Sequence, residues 1–408
     1  MSWLLKSIFP GSIKFTDVSV VDVGKKDVQD GSPTVQSLPA GFYHSEKVYK
    51  LEQEAVFKKH WLLAIHRVFF TEPGQYRALF CGDVKFVIVL GSDGELRAFH
   101  NRCPNCTSEL VGEGVNPYCI TGVVETLSCV DGRCKYKLTG ESAADQKNNA
   151  GAKALEPLSV HIDQNGYVYV QEDRRAPFIS MCSTLFADID PFPSSPNAIT
   201  WTEQLGAFDE QERLSGFEWD KYRYKVSWGL IGAQFNWKTL SDNYNECHHC
   251  SYTHPGFVKT TDLKTYAVFE SEGVIEHYVA PKQKPAPGDE GKKFAFNYLY
   301  PSSSHTVAPA YYHTVRIVPT SPTTCDVLYD VYQHRECPDD EFEDTLAFIK
   351  QVVDEDKVLC VNTQRGLLAG AYHSGPLHPV KEAGVIYFQR RHLSVLKKYV
   401  ESQAGSRQ

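Results

Sequence analysis

Between Asp242 and Phe257 the chain gathers three histidines, two carboxylates and a proline into sixteen residues, and that density limits what the segment can become. The stretch runs Asn236-Trp237-Lys238, then Asp242-Asn243-Tyr244-Asn245-Glu246-Cys247-His248-His249-Cys250-Ser251-Tyr252-Thr253-His254-Pro255-Gly256-Phe257. Two imidazoles and one carboxylate on one face of Fe(II) leave positions open for O2 and a substrate, and one helical turn is the simplest scaffold for two of those ligands. His249 and His254 supply the pair. Five residues apart, they point about 140° away from each other on an ideal helix, so they converge only if the last turn loosens. Pro255 provides that loosening by removing a backbone donor. Glu246, three residues before His249 on the same helix face, can accept a ring N–H and fix the tautomer, a supporting role rather than a ligand's. On its own the spacing E-x2-H-x4-H also arises by chance in helices.

The third ligand has to come from elsewhere, and residues 339–368 offer one. Phe342, Leu346, Ile349 and Val353 recur at steps of four, three and four, a core-facing stripe on a helix. Asp356 is the next position on that stripe. A carboxylate where the pattern calls for an apolar side chain costs several kcal/mol to bury alone, so it either ends the buried stretch or meets a cation or strong donors. Asp354 and Glu355 are turned off the stripe by about 200° and 100° and are expected in solvent.

With these residues in place the chain is recognisable. From Leu38 to about Lys398 it resembles the large (alpha) subunit of Rieske-type non-haem iron oxygenases, in the choline monooxygenase and carnitine oxygenase branch. The landmarks follow in order: Leu38-Pro39-Ala40, Phe42-Tyr43-His44-Ser45, Trp61, Gly74-Gln75-Tyr76, Asp93-Gly94-Glu95-Leu96-Arg97-Ala98-Phe99-His100-Asn101-Arg102-Cys103, the histidine segment, Glu355-Asp356 and Gln364-Arg365-Gly366-Leu367. The resemblance implies that His249, His254 and Asp356 bind mononuclear Fe(II). It also implies that Glu246 passes electrons from a neighbouring subunit's iron-sulfur cluster, in a homotrimer served by an NAD(P)H-dependent reductase. The fold it implies is α+β: an antiparallel β Rieske-like domain plus a helix-grip catalytic domain with an antiparallel sheet and helices.

One departure is serious. The family binds its [2Fe-2S] cluster through C-x-H and C-x2-H, two imidazoles on one iron. This chain keeps Cys103 and Cys129 but has Asn105 and Gly132 where the histidines belong, so the Rieske motif is degenerate and the electron entry is altered. The same loops carry extra thiols, giving Cys103-x2-Cys106 and Cys129-x4-Cys134. Four thiolates on facing hairpins suit structural Zn2+, a rubredoxin-like iron or a four-cysteine [2Fe-2S] cluster, and an empty site is the remaining alternative. Cys119, between the loops, is a possible substitute ligand, as is His100, which reads better as the end of a strand. Cys247 and Cys250 read as small buried fillers.

At 408 residues and 42% hydrophobic the chain can bury more than one core. Its net charge of -8 argues against nucleic acid as a partner. It lacks a run of 18 apolar residues, and Lys6 and Pro10 break the opening too early for a signal peptide, so a cytoplasmic location is expected. The expected organisation is an N-terminal extension over 1–37, a Rieske-like domain over 38–190 and a mononuclear iron domain over 191–408. A helix is expected over 46–60. Strands are expected over 76–80, 84–90, 96–100, 160–172, 222–228, 315–318 and 325–334, with a linker at 191–196 and a polar loop at 281–293. Trp237, Tyr244 and Tyr252 are candidates for the pocket wall.

Two functions fit. One is a non-haem iron-dependent monooxygenase or hydroxylase using O2 on a small organic substrate. The other is a reductase-independent mononuclear iron enzyme, an isomerase, lyase or rearrangement catalyst with a zinc-stapled or empty Rieske-like domain. The altered cluster loops are the motive for expecting a role in specialised metabolism.

Overall fold

The computed structural model describes residues 35–112, 118–143, 153–172, 198–282, 294–370 and 372–405. The 191–196 linker, nearly all of the 281–293 loop, the 190/191 boundary and residues 1–34 of the extension lie outside them. Residues 35–36 are tied down, since Val35–Gln36 pairs antiparallel with Pro376–Leu377.

Two seven-stranded antiparallel sheets organise the chain. The first runs Leu62–His66, Tyr167–Gln171, Pro157–Ile162, Leu96–His100, Val84–Leu90, Gln75–Cys81 and Ile120–Val123. Val84–Leu90 shows how the sequence sets it up. Val84, Phe86 and Ile88 face the main core, while Val87 and Val89 face a smaller core that also holds Cys103, Cys129 and Tyr136. A strand buried on both sides reads as a continuous apolar run, and its period of two sorts the side chains between the two cores. The single strand expected over 160–172 is instead a hairpin, Pro157–Ile162 and Tyr167–Gln171. Asp163 accepts from the amides of Asn165 and Tyr167 at 3.0 and 2.9 Å, and Gly166 turns the chain at φ 91° with the His66 ring where a Cβ would stand. The helix expected over 46–60 is split into Glu46–Glu52 and a π-helical turn, Gln53–Phe57, that brings Val56 and Phe57 into the core.

The second sheet runs Tyr222–Ala233, Thr324–His334, Tyr311–Ser321, Ser303–Val307, Ala295–Leu299, Val274–Pro281 and Thr261–Ser271. The long helix Asp339–Leu368 has the expected bounds, and its stripe of Phe342, Leu346, Ile349 and Val353 joins the same core as Val315, Ile317 and Val327 of the sheet. The fold is therefore α+β, as expected.

Polar groups stitch the two sheets together. Arg77 from the first meets Asp330 of the second at 2.8 Å with both side chains shut off from solvent, and the same nitrogen reaches Ser227 at 3.2 Å. Neither charge would be tolerable there alone. His66 packs between Tyr167 of the first sheet and Tyr312 and Tyr332 of the second. Among the described residues no helix is long and apolar enough to cross a membrane.

Candidate metal centres

The helix Trp237–Tyr244 is held at three points. Asn236 caps it, its side chain accepting from the Lys238 amide at 2.9 Å, while the Asn236 amide donates to Gln364 of the long helix, also at 2.9 Å. Lys238 Nζ lies 2.8 Å from Glu52 Oε1, both side chains fully buried, and Glu52 also meets His392 and accepts from the Trp237 indole. Tyr43 donates to Asp242 at 2.5 Å, and burial pushes the Asp242 carboxyl up to about 7. One helix is thereby locked to the N-terminal helix, the long helix and the C-terminal helix Ala383–Gly405.

The segment after it corrects the sequence reading. No single helix carries Glu246, His249 and His254: the first helix stops at Tyr244, a single turn covers Cys250–Thr253, and Pro255 starts a third piece, Pro255–Thr260. The loosening expected at one turn is a complete break. Cys247 and Cys250 are not passive fillers either, since they form a disulfide that closes a four-residue loop around His249.

The break lets His249, His254 and Asp356 converge. Asp356 Oδ1 lies 3.3 Å from His249 Nε2 and 3.2 Å from His254 Nε2. Three donors on one face of an octahedral ion, each about 2.1 Å from it, stand about 3.0 Å apart. Asp356 Oδ1 is shielded from solvent and without a hydrogen-bond partner, an orphaned anion of the kind a cation completes. The opposite ring nitrogens are braced by carboxylates: His249 Nδ1 by Glu246 and His254 Nδ1 by Glu355, at 2.8 Å in the second case. Glu246 also accepts from the His248 amide, which fixes its own orientation. A ligand imidazole whose far nitrogen donates to a carboxylate has its tautomer set and its basicity raised. The donor set fits a ferrous ion.

The electrostatics agree with a cation site. Burial works against charge on His249, but Asp356 and Glu246 outweigh it and push the imidazole up to about 9; His254 is likewise raised, by Asp356 and Glu355 against its burial.

Glu355 was expected in solvent and instead braces His254. Asp354 is exposed, as expected. Of the wall candidates, Trp237 is core and Tyr252 is 90% exposed, so neither lines the site in this chain. Tyr244 is half-buried beside His277. Tyr329 was missed; its hydroxyl is pushed up by burial and then by the Asp356 charge, and its ring stacks on Trp228 at 4.5 Å.

The cysteine loops lie on the first sheet, around the smaller core. Sγ atoms of Cys103, Cys106, Cys129 and Cys134 all fall within 4.8 Å of one another. Cys119 is not among them, since its Sγ accepts from Arg77 at 2.5 Å. His100 ends its strand opposite Phe86, as expected. Asn105 donates to Tyr136 and to the Lys153 carbonyl and accepts from the Lys153 amide, so its side chain ties one loop to another. Gly132 sits at φ 72° in the turn between Cys129 and Cys134. A two-histidine Rieske centre does not fit these residues.

Comparison with known proteins finds a family model similar to part of the chain. Residues 211–398 match the model of the ring hydroxylating alpha subunit (catalytic domain). The chain is 27% identical to the chloroplastic choline monooxygenase of Beta vulgaris, over 86% of this chain and 75% of that protein. It is 26% identical to the carnitine monooxygenase oxygenase subunit of Escherichia coli K12, over 82% and 85%. Its fold matches that of the quaternary ammonium Rieske monooxygenase CntA in complex with L-carnitine, with a TM-score of 0.72, 23% identity and coverage of 89% and 95%. It also matches naphthalene 1,2-dioxygenase from Rhodococcus sp., with a TM-score of 0.66, 15% identity and coverage of 88% and 94%.

Proposed function

We propose, from the ring-hydroxylating alpha-subunit catalytic domain formed by residues 211–398, that this chain is a non-haem iron-dependent oxygenase of the monooxygenase type, using O2 on a small quaternary ammonium compound. The observation that carries the reading is Asp356 Oδ1, orphaned and aimed between two imidazoles whose far nitrogens are both braced. His249, His254 and Asp356 would hold Fe(II), which would supply O2 activation beside the substrate. Glu246 and Glu355 keep the two Nε2 atoms unprotonated and aimed. The disulfide around His249 restricts the backbone that carries one ligand. The substrate class itself comes from the choline and carnitine monooxygenases to which the chain is similar. An NAD(P)H-dependent reductase and a homotrimer are part of the same proposal.

A second reading is favoured by Asn105 and Gly132. With the cluster histidines gone, the iron site can serve reductase-independent chemistry such as isomerisation. The test is turnover of choline, L-carnitine and γ-butyrobetaine by the Fe(II)-loaded protein under 18O2 with a supplied reductant. Label in the product supports the oxygenase. Equal turnover under argon supports the second reading, and inertness towards all three compounds removes the quaternary ammonium assignment.

A further inference from the structure

We propose that Cys103, Cys106, Cys129 and Cys134 hold one tetrahedral metal ion, in place of a two-iron cluster. The argument begins with size. Four thiolates around one ion at about 2.3 Å stand about 3.8 Å from each other, every pair alike. In a two-iron cluster the thiolates are shared two to each iron and lean outwards, so the pairs on opposite irons are separated by the iron–iron spacing plus the outward reach of both Fe–S bonds, well beyond one tetrahedron's edge. All four Sγ atoms here lie within 4.8 Å of one another, the compact arrangement of a single centre.

Backbone bonds shape both loops, and one amide is aimed at a sulfur. The Cys134 amide donates to Cys129 Sγ at 3.1 Å, while the Cys129 amide donates to the Cys134 carbonyl, also at 3.1 Å, closing the knuckle. In the facing loop the Thr107 amide donates to the Cys103 carbonyl at 2.9 Å, and Thr107 takes a positive φ of 64° to make the turn. Cys106 Sγ has the Ser108 hydroxyl at 2.9 Å, and Cys103 Sγ has the Tyr136 hydroxyl at 2.9 Å. The Val130 amide donates to the Glu109 carbonyl at 2.8 Å and clips the loops together. Asp131 accepts from the Cys129 thiol at 2.9 Å; loading an ion removes that proton, and Arg133, paired with Asp131, keeps the carboxylate compensated.

An ion also has structural work here. Between Asn101 and Gly112 the chain has neither helix nor strand, and the second loop hangs from strands of two residues each, Leu127–Ser128 and Lys135–Tyr136. Cys103 and Cys129 belong to the small core below, while Cys106 and Cys134 reach towards solvent. So little backbone pairing leaves the loops in need of a staple, and binding energy at such a site becomes folding energy. Four protein donors close the coordination sphere, which marks a structural site rather than a catalytic one.

The test is metal and acid-labile sulfide analysis of the full chain, purified without oxygen, alongside Cys106→Ser and Cys134→Ser. The expected result is one zinc or one iron per chain beyond the ion at the histidines, absence of sulfide, and loss of that second ion in each serine variant. If a serine variant does not fold, Co2+ exchanged into the wild-type protein should give the absorption of tetrahedral four-thiolate cobalt. Zinc makes the region a scaffold; a single iron makes it a one-electron carrier; both support the single-ion centre. Two sulfides with two additional irons overturn it, as does a native protein lacking a second ion, with its four cysteines free to react with a thiol reagent or joined as disulfides.

Discussion

The chain has two clusters of side chains of the kinds that bind metals, and they are built in opposite ways. At His249, His254 and Asp356 the donors come from separate elements, each fixed from behind: Glu246 and Glu355 on the rings, Gln364 and the Glu52–Lys238–His392 group on the helices. At the cysteine loops the donors sit on two turns with little ladder between them. The first site is pre-formed by the fold. The second has few means of staying formed without its ion. The histidine site also leaves coordination positions for chemistry, whereas four thiolates leave none.

Substitutions at both kinds of position would break or sharpen that contrast. The largest effect belongs to Asp356→Ala, which should abolish iron retention while Asp354→Ala retains it, as read by iron content after desalting; equal retention would remove the carboxylate assignment. Next is Lys238→Met, which leaves the buried Glu52 carboxylate without its cation and should cost about 3 kcal/mol by denaturant unfolding. A cost near zero would mean that the pre-formed site does not depend on this group. Glu246→Gln and Glu355→Gln should each weaken iron binding or turnover by about 10- to 100-fold. Complete metal loss in Glu246→Gln would instead make that residue a ligand.

The smallest effect concerns the seam between the two halves. Burial lowers His66 to about 3 against its ordinary value near 6.5, so the folded protein keeps it neutral while the unfolded chain protonates it. Its contribution is whole above pH ~6.5 and is lost as pH falls through that value towards about 3. Melting temperature measured from pH 6.5 down to 4 should fall less steeply in His66→Gln than in wild type. Parallel curves would show that His66 does not couple acid to this seam.

How far the sequence disclosed these features follows from their physics. Asp356 was legible because it interrupts an apolar stripe of regular period, and burial of a lone carboxylate demands a partner. The 30 residues of Asp339–Leu368 were legible for the same reason of period. Glu355 was not. Helical geometry turns it about 100° from Asp356, yet one imidazole lies along the helix and spans that angle, presenting Nε2 to Asp356 and Nδ1 to Glu355. The Cys247-x2-Cys250 spacing was visible, but small buried cysteines three residues apart read equally well as packing, and the bond between them shows only in the structure. The 157–171 hairpin escaped because the short Asp163-Gln164-Asn165-Gly166 turn lies between two runs that both keep their alternation. Tyr329 lies far from the histidines along the chain, and only the folded sheet brings its hydroxyl under the influence of the Asp356 charge.

The central claim is an iron site with open coordination, and nitric oxide tests it most directly. Added without oxygen to the Fe(II)-loaded protein, it should give the half-integer-spin EPR signal of a ferrous nitrosyl in wild type and Asp354→Ala, and no such signal in Asp356→Ala. A signal that persists in Asp356→Ala, or is missing from iron-loaded wild type, would contradict the account.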